Sequence, residues 1–223
     1  MTAHHHAPHA HAPAHAEPNT TLSPVEHWEQ RYSGSERVWS GRANETMASV
    51  VAELAPGAAI DLGCGEGGDV LWLAEQGWAV RGLDISATAV GRAREEAAAR
   101  GLDGASFEVA DLDAWEPEPA TVDLVTASFF QSDVALDRTA ILRRAMTALR
   151  PGGRLVAVSH AAPPSWARDH PATMVSVQEE AAQLAGPAEE WEIERVEERP
   201  RAAVAPDGSA GEHLDAVLVL RRR

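Results

Sequence analysis

Residues 58–68 read A-A-I-D-L-G-C-G-E-G-G, so one acid and several closely spaced glycines follow a short apolar run. A helix-compatible segment, D-V-L-W-L-A, comes directly after them. Because glycine has no Cβ, a ligand can approach the backbone of such a turn closely. A strand, a glycine-rich turn and a helix in this order predict a binding site for a nucleotide-like ligand.

Two classes of cofactor fit this turn. Gly63, Gly65 and Gly68 satisfy the G-x-G-x-x-G fingerprint of dinucleotide-binding proteins. Asp84 lies about 20 residues beyond the first glycine, where that fingerprint expects a ribose-binding acid. Asp61, which precedes the glycines, is not part of the fingerprint. An NAD(P)-dependent oxidoreductase is therefore one alternative, although the chain has no lysine, which excludes the Tyr-x-x-x-Lys mechanism of short-chain dehydrogenases.

Acids also end the next strands that the sequence predicts. The runs 80–84 and 106–112 read as a second and a third strand, and they carry Asp84 and Asp111 near their carboxyl ends. Residues 122–128 predict a fourth strand. In open α/β sheets, ligands bind beyond the carboxyl ends of the strands, so these acids are candidates for one site.

The string D-L-G-C-G-E-G at residues 61–67 resembles the first motif of class I S-adenosylmethionine-dependent methyltransferases. Asp84, Asp111 and a Pro-Gly-Gly turn at residues 151–153 follow in the order of that family, across about half of the chain. Residues 28–42 resemble the N-terminal cover of small-molecule methyltransferases of the thiopurine and tellurite type. The resemblance implies an enzyme that uses S-adenosylmethionine, releases S-adenosylhomocysteine and methylates a small-molecule acceptor.

The resemblance also implies roles for individual residues. In the family, the acid at Asp61 helps to fix the glycine loop and the methionine amino group, the acid at Asp84 accepts the ribose hydroxyls, and the acid at Asp111 receives the adenine amino group. The implied cofactor-binding residues are Trp39, Arg42, Asp61, Gly63, Cys64, Gly65, Gly67, Asp84, Ile85, Asp111, Leu112 and Ser128.

Candidates for the acceptor side follow the fourth and fifth strands. His160 stands where the fifth strand is predicted to end, and a histidine there could accept a proton or orient the acceptor. Asp133 is a second catalytic candidate, although it could instead cap the following helix. The chain lacks the Asn/Asp-Pro-Pro-aromatic motif of enzymes that methylate base amino groups. The predicted substrate-binding residues are Phe129, Phe130, Gln131 and Trp166.

The predicted reaction is an in-line displacement, for which the protein mainly supplies alignment and a dry pocket. The aromatic surroundings favour an aromatic or heteroaromatic acceptor that is methylated on O, N or S. A thiol or a metalloid is the rival acceptor.

Composition limits the partners. The net charge of −15 argues against nucleic acid, because phosphates would be repelled. Cys64 is the single cysteine, so no intrachain disulfide forms. No apolar run approaches the roughly 20 residues of a membrane span, and a cytoplasmic protein without membrane contact is expected. No metal site is predicted in the folded part, and the chain could be a monomer or a homodimer.

The sequence divides into a tail and one domain. Residues 1–21 are rich in His, Ala and Pro and are expected to be disordered. A non-catalytic cofactor- or metal-binding protein that works through this tail is a further alternative. Residues 22–56 predict a helical cover, and residues 57–223 predict the core. The expected fold is a three-layer, Rossmann-like α/β domain with a seven-stranded, mostly parallel sheet that ends in a C-terminal antiparallel pair.

Overall fold

The computed structural model describes residues 22–34, 36–132, 134–167, 174, 176–186 and 190–223. Within these residues, helices and strands alternate along most of the chain, as an α/β fold requires. In chain order the elements are α1 (Pro24–Ser33), α2 (Glu45–Val51), β1 (Ala58–Leu62), α3 (Gly68–Glu75), β2 (Ala79–Asp84), α4 (Ala87–Arg100), β3 (Ala105–Val109), β4 (Val122–Ser128), α5 (Arg138–Met146), β5 (Leu149–Ala162), α6 (Val177–Ala185), β6 (Trp191–Val204) and β7 (Ala210–Arg222).

The seven strands form one sheet in the order β3-β2-β1-β4-β5-β7-β6. Strands β1 to β5 pair in parallel, whereas β7 pairs antiparallel with β5 and with β6. The predicted Rossmann-like fold with its C-terminal antiparallel pair is confirmed. The chain changes direction across the sheet between β1 and β4, which is where ligands bind in open α/β sheets.

Apolar side chains alternate between the two faces of the sheet, because successive residues of a strand point in opposite directions. Ile60 and Val125 lie on one face, in a buried cluster with residues of α5 and α6. Ala59 and Leu124 lie on the other face, in a cluster with residues of α2, α3 and α4. The sheet is therefore buried between two helical layers, and its carboxyl edge stays available for a site.

The N-terminal segment begins with a capped helix. The Glu26 amide donates to the Ser23 hydroxyl at 3.3 Å, and the Ser23 amide donates to the Glu26 carboxylate at 2.9 Å. These two bonds form the capping box that starts α1. Asn44 caps α2 by accepting from the Met47 amide at 2.9 Å. Both helices therefore start where polar side chains replace missing backbone partners.

Some element boundaries differ from the sequence predictions. The third strand ends at Val109, two residues before Asp111. Helix α5 ends at Met146, and β5 begins soon after it, at Leu149. The Pro-Gly-Gly turn lies inside β5, where the pairing of β4 with β5 shifts register. The turn is thus an irregularity within a strand, since the flanking residues on both sides still pair with β4.

Candidate active site

Three glycines after β1 have backbone conformations that L side chains rarely adopt. Gly63, Gly65 and Gly67 have φ angles of 66°, 51° and 85°. A Cβ built on Gly63 would lie 2.6 Å from the Phe130 ring, and one built on Gly65 would lie 2.7 Å from the Tyr32 hydroxyl. Because side chains cannot fit here, the turn presents bare backbone to the space beneath the aromatic rings.

Cys64 lies within this glycine loop and has a structural environment. Its amide donates to the Leu83 carbonyl at 2.9 Å, which joins the loop to β2. The thiol is buried, and this burial raises the pKa of the Cys64 thiol well above its ordinary value. A thiol that stays protonated is a poor nucleophile. The backbone role predicted for Cys64 therefore fits its surroundings better than a catalytic thiol.

Two carboxylates lie close together below the glycine loop. Asp61 is buried at the end of β1 and accepts from the Thr126 hydroxyl at 2.6 Å. Asp69, in the first turn of α3, accepts from the Asn44 amide at 2.7 Å. Burial raises the pKa of both carboxyls, and the charge of Asp69 raises the pKa of Asp61 further. A cationic group bound here would stabilise both ionised carboxylates.

Asp84 is buried at the end of β2 and also faces the glycine loop. Its two oxygens accept from the Gly65 amide at 2.8 Å and from the Ser86 amide at 2.9 Å. Burial raises the pKa of Asp84, although both amides favour the ionised form. Each of the two Asp84 oxygens keeps a further lone pair, so the carboxylate could also accept hydrogen bonds from two neighbouring hydroxyls. This geometry suits the ribose role that the resemblance implies.

The other predicted cofactor residues on this side follow β2 and β3. Ile85 is half-buried directly after Asp84. Asp111 is exposed and its carboxylate accepts from the Asp113 amide at 3.0 Å, whereas Leu112 is buried. The Ala110 amide donates to the Asp84 carbonyl at 2.8 Å, which brings the segment after β3 to the same edge as Asp84.

The N-terminal cover reaches the glycine loop through aromatic side chains. The Trp39 indole nitrogen donates to the Tyr32 hydroxyl at 3.0 Å, and both rings lie beside Gly65. Tyr32 is buried, whereas Trp39 is 45% exposed. The Arg42 side chain is exposed, and its carbonyl packs against Gly68. Trp39 is thus at the predicted cofactor face, and Arg42 contributes its backbone there.

Four rings line the carboxyl edge beyond β4 and β5. Phe129 and His160 stack with centroids 4.2 Å apart, His160 and His213 are 5.4 Å apart, and Trp166 meets His213 edge-on at 5.1 Å. All four side chains are partly exposed. We call Phe129, His160, His213 and Trp166 the ring wall. It is a series of contacting, partly exposed rings at the carboxyl edge of the sheet.

Backbone geometry shapes the start of this wall. Phe129 directly follows Ser128, the last residue of β4, and has a φ angle of 50°, which is rare for a residue other than glycine. Gln131 accepts from the His160 amide at 3.4 Å. Phe130 points away from the wall and lies over Gly63. The structure therefore places Phe129, Gln131 and Trp166 at the carboxyl edge beyond β4 and β5, and Phe130 at the glycine loop.

A buried carboxylate that sequence reasoning missed lies beneath the ring wall. Asp215 accepts from the Thr46 hydroxyl at 2.8 Å and from Arg201 at 2.8 and 3.3 Å. Its Oδ1 lies 4.0 Å from the His160 Nδ1. His213 and Asp215 are two residues apart in β7, and the antiparallel register places Asp215 opposite His160. The sequence shows that His213 and Asp215 are close in the chain, but it does not show that their strand pairs with β5, which carries His160.

Asp133, the second catalytic candidate, and the histidine-rich tail lie outside the described residues. Within the described ranges, no three His, Cys, Asp or Glu side chains are grouped to hold a metal ion. In the same ranges, no helix has the length and apolar character needed to cross a bilayer.

Residues 59–153 match the family model of a methyltransferase domain. The chain also superposes, with a TM-score of 0.68 and 31% identity over 89% of this chain and 92% of the other, on a structure titled "Conversion of a Disulfide Bond into a Thioacetal Group during Echinomycin Biosynthesis". An S-adenosylmethionine-dependent methyltransferase from Mesorhizobium loti has a TM-score of 0.59 and 25% identity over 78% and 96% of the two chains.

Curated relatives match over shorter stretches. A 2-heptyl-1-hydroxyquinolin-4(1H)-one methyltransferase from Mycobacteroides abscessus is 46% identical over 25% of this chain and 25% of its own length. A ribosomal RNA small subunit methyltransferase C from Alcanivorax borkumensis is 39% identical over 47% of this chain and 33% of its own length. The matches therefore span a third or less of each of these two relatives.

The glycine loop, the strand-end acids and these matches together define the class. The chain belongs to the class I S-adenosylmethionine-dependent methyltransferases, and S-adenosylmethionine is its cofactor. The residues fit that cofactor, because the carboxyls of Asp61 and Asp69 have raised pKa values that a bound cation would lower, and Asp84 has lone pairs for hydroxyls. The oxidoreductase alternative is excluded by this membership.

Proposed function

We propose that this methyltransferase acts on a small, planar aromatic or heteroaromatic acceptor that stacks on the ring wall. The observation that carries the proposal is the continuous series of ring contacts from Phe129 to Trp166 at the carboxyl edge. Aromatic rings stabilise each other in offset-stacked and edge-on arrangements, so a planar acceptor gains most from such a surface. The quinolinone named for one relative is an acceptor of this shape.

S-adenosylmethionine, when bound, supplies a methyl group that is already activated by the sulfonium. This chain has to align the acceptor and to exclude water. Phe129 and Trp166 would orient the acceptor ring, and the covering rings of Tyr32 and Trp39 would limit solvent access to the glycine loop. His160 would accept the proton of an acidic O–H, N–H or S–H group on the acceptor, because its imidazole lies among the rings that would hold the acceptor.

The acceptor class is tested with isotopically labelled S-adenosylmethionine and a panel of small molecules. Hydroxyquinolines and aromatic thiols should be methylated, whereas aliphatic thiols of similar acidity should react poorly because they cannot stack. A structured RNA is included because one relative is named as an rRNA methyltransferase, and the net charge of −15 predicts no reaction. Methylation of aliphatic thiols or of RNA at equal rates would contradict the proposal.

His160 is tested on the best acceptor of that panel. Removing a general base typically lowers turnover by about 10²- to 10⁴-fold, so we expect His160→Ala to lower kcat strongly. The dissociation constant of S-adenosylhomocysteine should change less than about twofold, since His160 lies on the acceptor side. His160→Gln keeps hydrogen bonding without an ionisable ring. If it retains full turnover, His160 orients the acceptor and does not accept the proton.

A further inference from the structure

Glu66 is an acidic side chain of the glycine loop for which the proposed function has no role. It is 4% exposed, and its carboxylate is fully engaged. One oxygen accepts from the backbone amides of Val38 and Trp39, both at 3.0 Å. The other oxygen accepts from the Arg92 guanidinium of α4 at 2.9 Å. A loop residue thus binds the cover and a core helix at the same time.

These bonds are of the strong, charge-assisted kind. A carboxylate that accepts from backbone amides and from arginine forms short hydrogen bonds, about twice as strong as neutral ones. Burying a carboxylate is unfavourable unless such partners replace its water, and Glu66 has them from two separate segments. Displacement of residues 38–39 would therefore remove two of the three hydrogen bonds that the Glu66 carboxylate accepts.

The segment that Glu66 holds lies directly on the cofactor face. Residues 38–39 belong to no helix or strand, so their position depends on side-chain contacts. A Cβ built on Gly65 would lie 3.6 Å from the Trp39 ring, whose nitrogen donates to Tyr32. The bonds of Glu66 thus fix the aromatic cover at the glycine next to Glu66 itself. A cofactor bound at the glycine loop would therefore lie next to these rings.

We propose that Glu66 is the positioning residue that fastens the cover to the glycine loop and so sets how long the cofactor stays bound. Opening of the cover requires the Val38 and Trp39 amides to leave the carboxylate. The same two bonds re-form when the cover closes. Arg92 orients the carboxylate from the side of α4. This role concerns the methyl donor only, so it is independent of which acceptor is methylated.

The test uses the whole chain and S-adenosylhomocysteine. Glu66→Gln keeps the size of the side chain but has one acceptor oxygen, so it cannot serve both amides and Arg92 together. We expect dissociation of S-adenosylhomocysteine in stopped-flow chase experiments to become about tenfold faster, which corresponds to the loss of one charge-assisted bond. Hydrogen exchange at the Val38 and Trp39 amides should accelerate, while exchange in α4 stays unchanged.

Two further variants make the outcome specific. Glu194→Gln removes a carboxylate that also binds an arginine, Arg154, at the opposite edge of the sheet, and should leave dissociation unchanged. Arg92→Gln leaves both amide bonds in place and should have a clearly smaller effect than Glu66→Gln. An unchanged dissociation rate in Glu66→Gln, or an equal effect of Arg92→Gln, would overturn the proposal. Neither result depends on an acceptor, so the proposed function is tested separately.

Discussion

The carboxylates around the glycine loop differ in their surroundings, so we expect them to bind different parts of the cofactor. Asp61 is buried, Asp69 is half-buried, and both have raised pKa values, so the pair favours a cationic group. Asp84 lies at the end of the neighbouring strand and binds two backbone amides with its two oxygens. The first pair suits the amino acid part of S-adenosylmethionine, and Asp84 suits its ribose.

We therefore expect Asp84→Ala and Asp61→Asn to weaken the binding of different ligands. Asp84→Ala removes charge-assisted bonds to the ribose, so S-adenosylhomocysteine and 5′-methylthioadenosine should both bind about 10- to 100-fold more weakly. Asp61→Asn removes charge next to the ammonium, and 5′-methylthioadenosine has no ammonium. Asp61→Asn should therefore weaken only S-adenosylhomocysteine. Isothermal titration calorimetry measures all four affinities. Equal losses for both ligands in Asp61→Asn would contradict the assignment of that carboxylate.

The local part of the site could be predicted from the sequence, and the non-local part could not. The glycine loop and Asp84 are recognisable because each motif is contiguous. Glu66 was read as part of a motif, but its bonds to residues 38–39 depend on how the cover docks. His213 and Asp215 join His160 only through the register of antiparallel strands, which residue spacing does not specify.

Among the elements, α5 and α6 lie on the face of the sheet opposite α2 and contact the segment after β4. Arg138 of α5 donates to the Phe130 carbonyl at 2.9 Å and forms an ion pair with Glu180 of α6. Burial lowers the pKa of Arg138 to about 10, so the guanidinium is still charged at neutral pH. The pair thus joins two helices to the segment that carries Phe129 and Phe130.

We therefore expect Glu180→Ala to destabilise the protein strongly, because it leaves the buried charge of Arg138 without its partner. Breaking one side of a buried ion pair typically lowers the free energy of unfolding by about 3–5 kcal/mol. Urea denaturation measures this change. Glu179→Ala alters the exposed neighbour in the same helix and should cost less than about 1 kcal/mol. Similar losses in the two variants would show that Arg138 does not depend on Glu180.

The hydrophobic pattern and the capping residues predict most of the helices and strands. The predicted bounds of some of these elements differ from the observed ones. The capping box of α1 was readable because Ser23, Pro24 and Glu26 are adjacent in sequence. Pro151 and Gly152 normally end strands, so residue preferences alone do not indicate that β5 begins before them, at Leu149. Here the chain on both sides of them pairs with β4, and tertiary pairing outweighs the local preference.

At the scale of the whole molecule, acidity and burial together determine how stability depends on pH. Asp61, Asp69 and Asp84 have raised pKa values in the folded, ligand-free protein, whereas unfolded carboxyls titrate near about 4. Between these values the folded state binds more protons than the unfolded state. The free energy of unfolding of the ligand-free protein should therefore fall as pH rises through this window.

S-adenosylhomocysteine should counteract this fall, since its ammonium stabilises the ionised carboxylates. The increase in Tm caused by saturating S-adenosylhomocysteine should grow as pH rises from about 4 through the raised pKa values. Differential scanning calorimetry from acidic to neutral pH measures this. The matched ligand is 5′-methylthioadenosine, which lacks the ammonium and should give a flatter profile. An increase in Tm that is the same at every pH for both ligands would contradict the electrostatic explanation.

The order of strands separates the contacts to the methyl donor from those to the proposed acceptor. The proposed donor contacts come from β1, β2 and the cover, and the matched methyltransferase model ends at residue 153, before His160. The ring wall takes His213 from β7, and the buried Asp215–Arg201 pair joins β7 to β6. In evolution, the β6–β7 hairpin could therefore be replaced, and the acceptor changed, without altering the residues proposed to bind the methyl donor.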